Sequence, residues 1–276
     1  MTRLFTTLFI AASFIVACST NALTKKSQLT LMPESELQAM GTQQYQQFLS
    51  TSRVISASSN RDAEMVRRVG QRITRAVQEY YTQNGISDKL NGFNWEYNLV
   101  DDKAVNAWCM PGGKIVVYTG LLPITQNEAA LATVLGHEMA HATSRHGSQR
   151  VLQQNLAQTA LTGVAMSLSD MDYDKQRAVM GALGAGTQFG VLMPFSRKDE
   201  SEADAIGLLY MARAGYDPRE SIRFWQRMEN VGGSQPPEFL SSHPSHGTRI
   251  QQLQAEMPKA LEEYNRSSHA ETDSSR

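Results

Sequence analysis

Three histidines and a glutamate stand close together in the stretch LGHEMAHATSRHG at 135–147. In a helix, His137 and His141 lie about 40° apart around the axis and one turn apart along it, so both imidazoles can bind one metal ion. Glu138 is rotated by about 100° from His137. Its carboxylate therefore flanks the ion, where a general base can take a proton from an activated water molecule. The pattern is short and also occurs by chance, so a third ligand must decide whether it is a zinc site.

The nearest candidate for a third ligand is His146, and its spacing is wrong for one known arrangement. The metzincin pattern HExxHxxGxxH needs Gly at 144 and His at 147, where this chain has Ser144 and Gly147. We instead expect His146 to cap the end of the helix, where a protonated imidazole meets the C-terminal dipole.

A second candidate is the acidic stretch SRKDESEADAIG at 196–207. Glu200 and Asp204 face the same way in a helix, and the small Ala203 permits a close approach to the first helix. A carboxylate from this helix would complete a His₂Glu site and leave a fourth position for water. Asp204 could then hold the outer nitrogen of a ligand histidine. The alternative is that these acidic residues form a solvated helix face.

The elements that must position these residues are mostly helices. Apolar spacing predicts helices from Glu34 onward, with a clear stripe at 61–81, and again over Glu128–Arg145. Alternating residues predict strands at 93–100 and 114–122, which we expect to form a small antiparallel sheet. The segment 151–193 is glycine-containing and apolar but is interrupted by polar residues, which favours a buried helical hairpin. The fold class predicted is therefore mainly α with a small antiparallel β-sheet (α+β).

The overall charge excludes one class of partner. Lysine and arginine number 26 against 27 aspartate and glutamate residues, so no bulk positive field draws the chain to nucleic acid. Cys109 has no evident disulfide partner, and we interpret it as a small buried hydrophobic residue rather than a nucleophile.

The N-terminus has the pattern of a secretory signal. The apolar run from Leu4 to Ala17 has 14 residues, whereas a membrane span needs roughly 20. Ile15-Val16-Ala17-Cys18 resembles the bacterial lipobox, whose cysteine receives a lipid, although an ordinary signal peptide with a chance cysteine is the alternative. We predict a lipoprotein signal peptide at 1–17 and a tether at 18–33 after lipidated Cys18. By analogy, Ser19 favours the outer membrane.

Four blocks, taken in order, resemble one enzyme family: VNAWCMPGGKIVVYTGLL, LGHEMAHATSRH, SRKDESEADAIG and HPSHGTRI. The chain is similar to the HExxH zinc metallopeptidases (gluzincins) that include the CAAX prenyl proteases, HtpX and the periplasmic proteins LoiP and BepA. The resemblance covers roughly 35–260 and implies one zincin-like metallopeptidase domain at 34–265 with one Zn²⁺ per chain. The last stretch, SSHAETDSSR, lacks large apolar residues, which predicts a disordered tail at 266–276. Without membrane spans or a C-terminal repeat domain, we expect a compact LoiP-like lipoprotein.

The resemblance also implies roles for the acidic stretch. The family's ExxxD motif corresponds to Glu200 and Asp204, which implies that Glu200 is the third zinc ligand and that Asp204 lies behind the ligands. Glu202 is the competing choice for the third ligand.

The HP block implies two further catalytic residues. His243 and Arg249 correspond to family residues that lie over the metal. There they steady the oxyanion or, in BepA-like members, block the zinc until substrate arrives. Pro244 marks the family position, so we expect the nearby His246 to be solvent-exposed.

NAWCMPGG is expected to be the edge strand of the substrate cleft, to which an extended peptide can add. Asn106 and Ala107 match the family here, and Trp108 either shapes a substrate pocket or packs in the core.

Together these observations predict a lipid-anchored zinc metalloendopeptidase in the bacterial periplasm. Its partners are expected to be unfolded or misfolded envelope proteins, which are its substrates, and the membrane that holds its acyl anchor. The alternative is a chaperone-like periplasmic binding protein that assists outer-membrane protein assembly, with a structural or self-occluded zinc site.

Overall fold

The computed structural model gives the fold around these segments. It describes residues 17–21, 23–25, 27–30, 32–151, 153, 172, 174–175, 194–231, 236–244 and 247–274. The signal peptide predicted for 1–17 lies outside these ranges except for its last residue, and so does nearly all of the hairpin predicted at 151–193.

The described chain begins with two short antiparallel strands, β1 Ala17–Thr20 and β2 Ser27–Thr30. Between them, the side chains of Asn21 and Thr24 donate hydrogen bonds of 2.6 and 2.8 Å to Oε1 of Glu202. The segment predicted as a tether is thus attached to the domain at this point. The contact joins residues about 180 positions apart, so local composition gave no sign of it.

Two helices follow the predicted apolar spacing. α1 spans Glu34–Thr51 and α2 spans Arg61–Gln83. Asn60 caps α2 because its side chain accepts two main-chain N–H groups of the first turn. Four residues of the predicted apolar stripe are fully buried: Val66, Val69, Ile73 and Val77.

The sheet has four strands, β3 Val54–Ile55, β4 Glu96–Val100, β5 Ala107–Met110 and β6 Lys114–Tyr118. Their order is β3-β4-β6-β5, so β5 lies at the edge, and among the described residues it pairs on one side only.

The prediction of a wholly antiparallel sheet is wrong, because β4 and β6 run parallel. The reason is a hairpin that folds β5 onto β6 and places β6, rather than β5, next to β4. Gly112 and Gly113 make the turn of that hairpin, both with φ of 86°, a conformation that glycine adopts readily. The sheet is therefore mixed.

After the short helix α3 (Leu122–Thr125), α4 spans Glu128–Thr143. The Asn127 side chain caps α4 by accepting a main-chain N–H of its first turn. Apolar side chains on all its faces allow α4 to run through the core. The helix ends before the predicted Arg145, which turns the chain with a φ of 58°.

The next described helix, α5 (Arg197–Arg213), crosses α4 at a contact between two glycines. A Cβ atom on Gly136 would lie 2.8 Å from the carbonyl oxygen of Gly207, and one on Gly207 would lie 2.7 Å from the main-chain nitrogen of His137. The two main chains therefore touch. Since Glu200, Asp204 and Gly207 lie on one face of α5, this crossing directs both carboxylates at α4.

The remaining helices are α6 Arg219–Glu229, α7 Glu238–Ser242 and α8 Arg249–Ser274. α8 continues to Ser274, into the segment predicted as a disordered tail, and an ion pair between Arg266 and Glu262 lies along it. One main apolar core joins the sheet to these helices, and the α+β, single-domain prediction is confirmed. Within the described ranges, no helix is both long and apolar enough to cross a membrane.

Candidate metal centre and active site

Four buried side chains converge between α4, α5 and the residue that follows α7. His137, His141, Glu200 and His243 each offer one ligand atom, and these four atoms all lie within 4.8 Å of one another. Nε2 of His141 lies 3.1 Å from Nε2 of His137 and 3.2 Å from Oε1 of Glu200. The structure thus brings together the three predicted ligands and adds a fourth candidate, His243.

The donor set fits a divalent metal ion. Ring nitrogens and carboxylate oxygens carry lone pairs. When several of these atoms face one point, they repel one another unless a proton or a cation lies between them. Although burial opposes it, hydrogen bonds from His141 and His243 lower the pKa of Glu200 below its usual range, which keeps this carboxylate charged. Burial lowers the pKa of His141, which keeps its imidazole neutral. Neutral imidazoles with a carboxylate are ligands that zinc prefers.

Asp204 lies behind His137, as the family resemblance implied. Its Oδ1 is 3.0 Å from Nδ1 of His137, the ring nitrogen that faces away from the ligand cluster. Burial lowers the pKa of His137, but the nearby carboxylates of Asp204 and Glu200 outweigh it and raise the pKa overall. A carboxylate in this place fixes the orientation of a ligand imidazole.

His146 has a different place from the one that we predicted. It is fully buried, and its Nδ1 lies 2.9 Å from Nδ1 of His141. Burial lowers the pKa of His146, so a protonated helix cap is wrong for this residue. The turn at Arg145, with its positive φ, brings the ring back toward His141. Non-glycine residues seldom take this conformation, so no residue pattern pointed to it.

Arg249 also differs from the expectation that it lies over the metal. Its Nη2 donates to Oε2 of Glu200 and its Nε donates to Oδ2 of Asp204 at 2.7 Å, while its guanidinium lies 3.9 Å from the ring centroid of Trp225. It is fully buried and is not among the described residues that line the cleft. Arg249 therefore holds the carboxylates of Glu200 and Asp204 in place.

Glu138 and His243 face each other beside the cluster. Oε1 of Glu138 lies 3.4 Å from Nε2 of His243, whose Nδ1 is 3.1 Å from Oε1 of Glu200. Burial raises the pKa of Glu138, which favours its acceptance of a proton. Phe239 holds His243 in place: the rings stack at 4.6 Å, and its carbonyl accepts the His243 main-chain N–H.

Two alternatives from the sequence can now be placed. Glu202, the competing third ligand, lies outside the four-residue cluster, and its carboxylate accepts hydrogen bonds from Asn21 and Thr24. Burial raises the pKa of the Cys109 thiol well above its usual range, which keeps the thiol neutral and agrees with a passive role. His246 lies outside the described residues.

A cleft of about 400 Å³ opens onto Glu138, His141 and His243, a size typical of ligand sites. Asn106 and Trp108 line it, and Asn106 donates a 2.9 Å hydrogen bond to Glu238 across it. The fully buried Ala107 is not among the described lining residues.

A larger groove of about 760 Å³ between α2 and the residues around β4 shares no described lining residue with the metal cluster.

Comparison with known proteins agrees with this geometry. Residues 67–257 match the family model described as peptidase family M48. The mitochondrial metalloendopeptidase OMA1 of Saccharomyces cerevisiae is 36% identical over 202 residues, which cover 70% of this chain and 56% of the relative. The corresponding protein of Schizosaccharomyces pombe is 34% identical over 190 residues, with 68% and 53% covered. The beta-barrel assembly-enhancing protease of Escherichia coli is 32% identical over 162 residues, with 56% and 33% covered. The chain spans about half the length of the two yeast relatives.

Proposed function

The chain belongs to peptidase family M48, and from this premise we propose that it is a zinc-dependent endopeptidase of the bacterial cell envelope. Its substrates would be unfolded or misassembled envelope proteins. The main support is the convergence of His137, His141 and Glu200 on one point beside Glu138, at a cleft with an edge strand.

The described residues divide the chemistry among them. A zinc ion held by His137, His141 and Glu200 would supply Lewis acidity, which polarises a peptide carbonyl and acidifies water. Glu138 would accept the proton of the attacking water and return it to the leaving amine, a task suited to a carboxylate whose pKa is raised by burial.

The shape of the cleft supports a peptide substrate. β5 lies along the cleft and, within the described chain, pairs on one side only. An extended segment of an unfolded protein can therefore add to β5 through main-chain hydrogen bonds, which do not depend on its sequence. Asn106 and Trp108, which line this wall, would contact the bound segment.

The location in the envelope rests on the N-terminal sequence. The segment Ile15–Cys18 resembles a lipobox, which supports a lipid anchor at Cys18 in the outer membrane. The yeast relatives are mitochondrial by name, whereas the Escherichia coli relative is named for its effect on β-barrel assembly. Replacement of Cys18 by Ser should move the protein from the membrane fraction to the soluble fraction.

The decisive test of the enzyme replaces Glu138 by Gln. Loss of the general base should lower the degradation of unfolded casein by roughly 10²-fold or more, while elemental analysis still finds one zinc per chain. Glu79→Gln, on the exposed face of α2, is the matched control and should leave both quantities unchanged. Undiminished degradation by the zinc-loaded Glu138→Gln protein would overturn the proposal.

One observation favours a second candidate, a chaperone-like protein whose zinc site is self-occluded. Nδ1 of His243 lies 3.3 Å from Nε2 of His137, within the ligand cluster, so His243 can occupy the position that a water molecule needs. If occlusion dominates, the wild-type protein should hold unfolded outer-membrane proteins without cleaving them, and His243→Ala should release proteolysis. If the enzyme proposal holds, the wild-type protein cleaves them.

A further inference from the structure

Arg150 is a charged side chain of the cleft that the proposed chemistry leaves unused. Its guanidinium lies 4.8 Å from the ring centroid of Phe195, and that ring stacks on His141 with a centroid distance of 4.0 Å. The Phe195 ring therefore contacts both the Arg150 guanidinium and the ring of His141, a proposed metal ligand. Successive residues of an extended peptide advance about 3.3 Å, so a separation of this order corresponds to about two or three residues from the reacting bond.

Two of the three guanidinium nitrogens of Arg150 have no hydrogen-bond partner within the described chain. Nε and Nη2 are buried, and neither has a hydrogen-bond acceptor among the residues that the structure describes. By contrast, the fully buried Arg249 and the half-buried Arg227 both donate to carboxylates. Buried donors without an acceptor are unfavourable, and charged donors more so. An arriving carboxylate would remove this penalty.

Two carboxylates, Glu138 and Glu238, line the described part of the cleft, and Glu238 and Arg150 lie toward opposite ends of β5. Glu238 is hydrogen-bonded to Asn106, just before the first residue of the strand. At the other end, Gly147 packs against Pro111, and the helical residues 146–151 that begin there carry Arg150. Among the described lining residues, Arg150 carries the only permanent positive charge.

We propose that Arg150 determines specificity by binding the carboxylate of an acidic side chain on the substrate, at the Met110 end of β5. The inference rests on the proposed peptidase function and names a preferred feature of its substrates. A planar guanidinium suits this role because it can bind a carboxylate through two parallel hydrogen bonds. The apolar ring of Phe195 beneath it excludes water and strengthens the pair.

Matched peptides test this proposal. Each peptide is acetylated and amidated, so that the tested carboxylate belongs to a side chain, and carries Glu or Gln at successive positions around the cleaved bond. The wild-type protein should favour Glu over Gln by about tenfold or more in kcat/KM at one position. In Arg150→Gln this ratio should fall to about one, and Arg150→Glu should favour Lys at the same position. Arg75→Gln, on the exposed face of α2, should keep the wild-type ratio.

A binding measurement separates this inference from the proposed function. Fluorescence anisotropy measures the affinities of the Glu and Gln peptides for the Glu138→Gln protein, which binds them without turnover. The same affinities are then measured for the double variant that carries Glu138→Gln and Arg150→Gln. A preference for Glu that disappears with Arg150 supports the inference even if no peptide is cleaved. Equal affinities for the two peptides, or a preference that survives Arg150→Gln in a protein with an unchanged melting temperature and zinc content, would overturn it.

Discussion

Two carboxylates of this protein are buried among donors, and their surroundings differ in one respect. Glu220 on α6 accepts hydrogen bonds from Arg223 at 2.5 Å, Arg227 at 2.8 Å and Asn127 at 3.1 Å. Arg227 also donates to main-chain carbonyls at the end of α3. Although burial opposes it, these hydrogen bonds lower the pKa of Glu220. In this network, which ties α6 to the start of α4, the charge of the carboxylate is compensated by arginine.

At Glu200, arginine compensates only part of the carboxylate. Arg249 satisfies one of its carboxylate oxygens, but the other faces His141 and His243, whose ring nitrogens also face His137. Three ring nitrogens and one carboxylate oxygen therefore face one point, where each neutral imidazole can donate at most one proton. The comparison teaches that a surplus of acceptors, rather than burial or charge alone, distinguishes a cation site from a structural network.

The largest expected effect comes from removing Arg249, and the removal of Arg227 is the comparison. Arg249→Met leaves Glu200 and Asp204 as buried charges without their partner, which should lower the free energy of unfolding by about 3–5 kcal/mol. Arg227→Met, in the half-exposed network, should lower it by only about 1 kcal/mol. Urea unfolding of the zinc-loaded proteins measures both values. Equal losses would contradict the difference drawn between the two sites.

Metal removal should affect only one of the two sites. A ligand that binds the folded state alone stabilises it by about 2.7 kcal/mol at a hundredfold excess over Kd. A chelator should therefore lower the melting temperature of the wild-type protein and of Glu220→Gln by similar amounts. Glu200→Gln should show little response, since its site has already lost a ligand. A full response in Glu200→Gln would show that the ion binds elsewhere.

A smaller effect is expected from the group behind His137. Asp204→Asn should weaken zinc binding by about 10–100-fold, because it disturbs the orientation of a ligand imidazole. Competition with a chelator of known affinity measures this change. The matched control is Asp217→Asn, which alters a surface ion pair with Arg219 and should leave zinc affinity unchanged.

The smallest effect is a dependence of stability on pH at Glu220. Because its pKa is lowered in the folded state, its contribution is complete above the unfolded-state pKa of about 4.3 and is lost as the pH falls through the folded-state value. The wild-type protein should therefore exceed Glu220→Gln in unfolding free energy by about 1 kcal/mol at neutral pH. Urea titrations should show that this difference narrows in acid. A constant difference would mean that Glu220 acts by packing.

The part of the site that sequence predicts best is the part that depends on helical spacing. The common direction of His137 and His141 follows from one turn of α4. Spacing also places Glu200 and Asp204 on one face of α5, but only the family resemblance pointed to Glu200 as a metal ligand. The apolar stripe of α2 obeys the same periodicity. These features were predictable because each is set by residues three or four positions apart.

The features that sequence did not predict depend on contacts between distant segments. The parallel pairing of β4 with β6 follows from where a hairpin inserts, which no residue pattern within the strands encodes. Arg249 reaches its carboxylates across 45 and 49 positions, and Asn21 reaches Glu202 across 181. That Nε and Nη2 of Arg150 have no acceptor in the described part of the chain could be recognised only once the neighbours of Arg150 were known.

The contact between Gly136 and Gly207 has a mechanical consequence for the site. Main chain, rather than any side chain, sets the separation of the helices that carry the histidines and Glu200. Side chains change rotamer within nanoseconds, but two packed helices cannot approach further once their main chains touch. Peptides of different bulk can therefore rearrange the cleft walls while the spacing of the ligands stays constant.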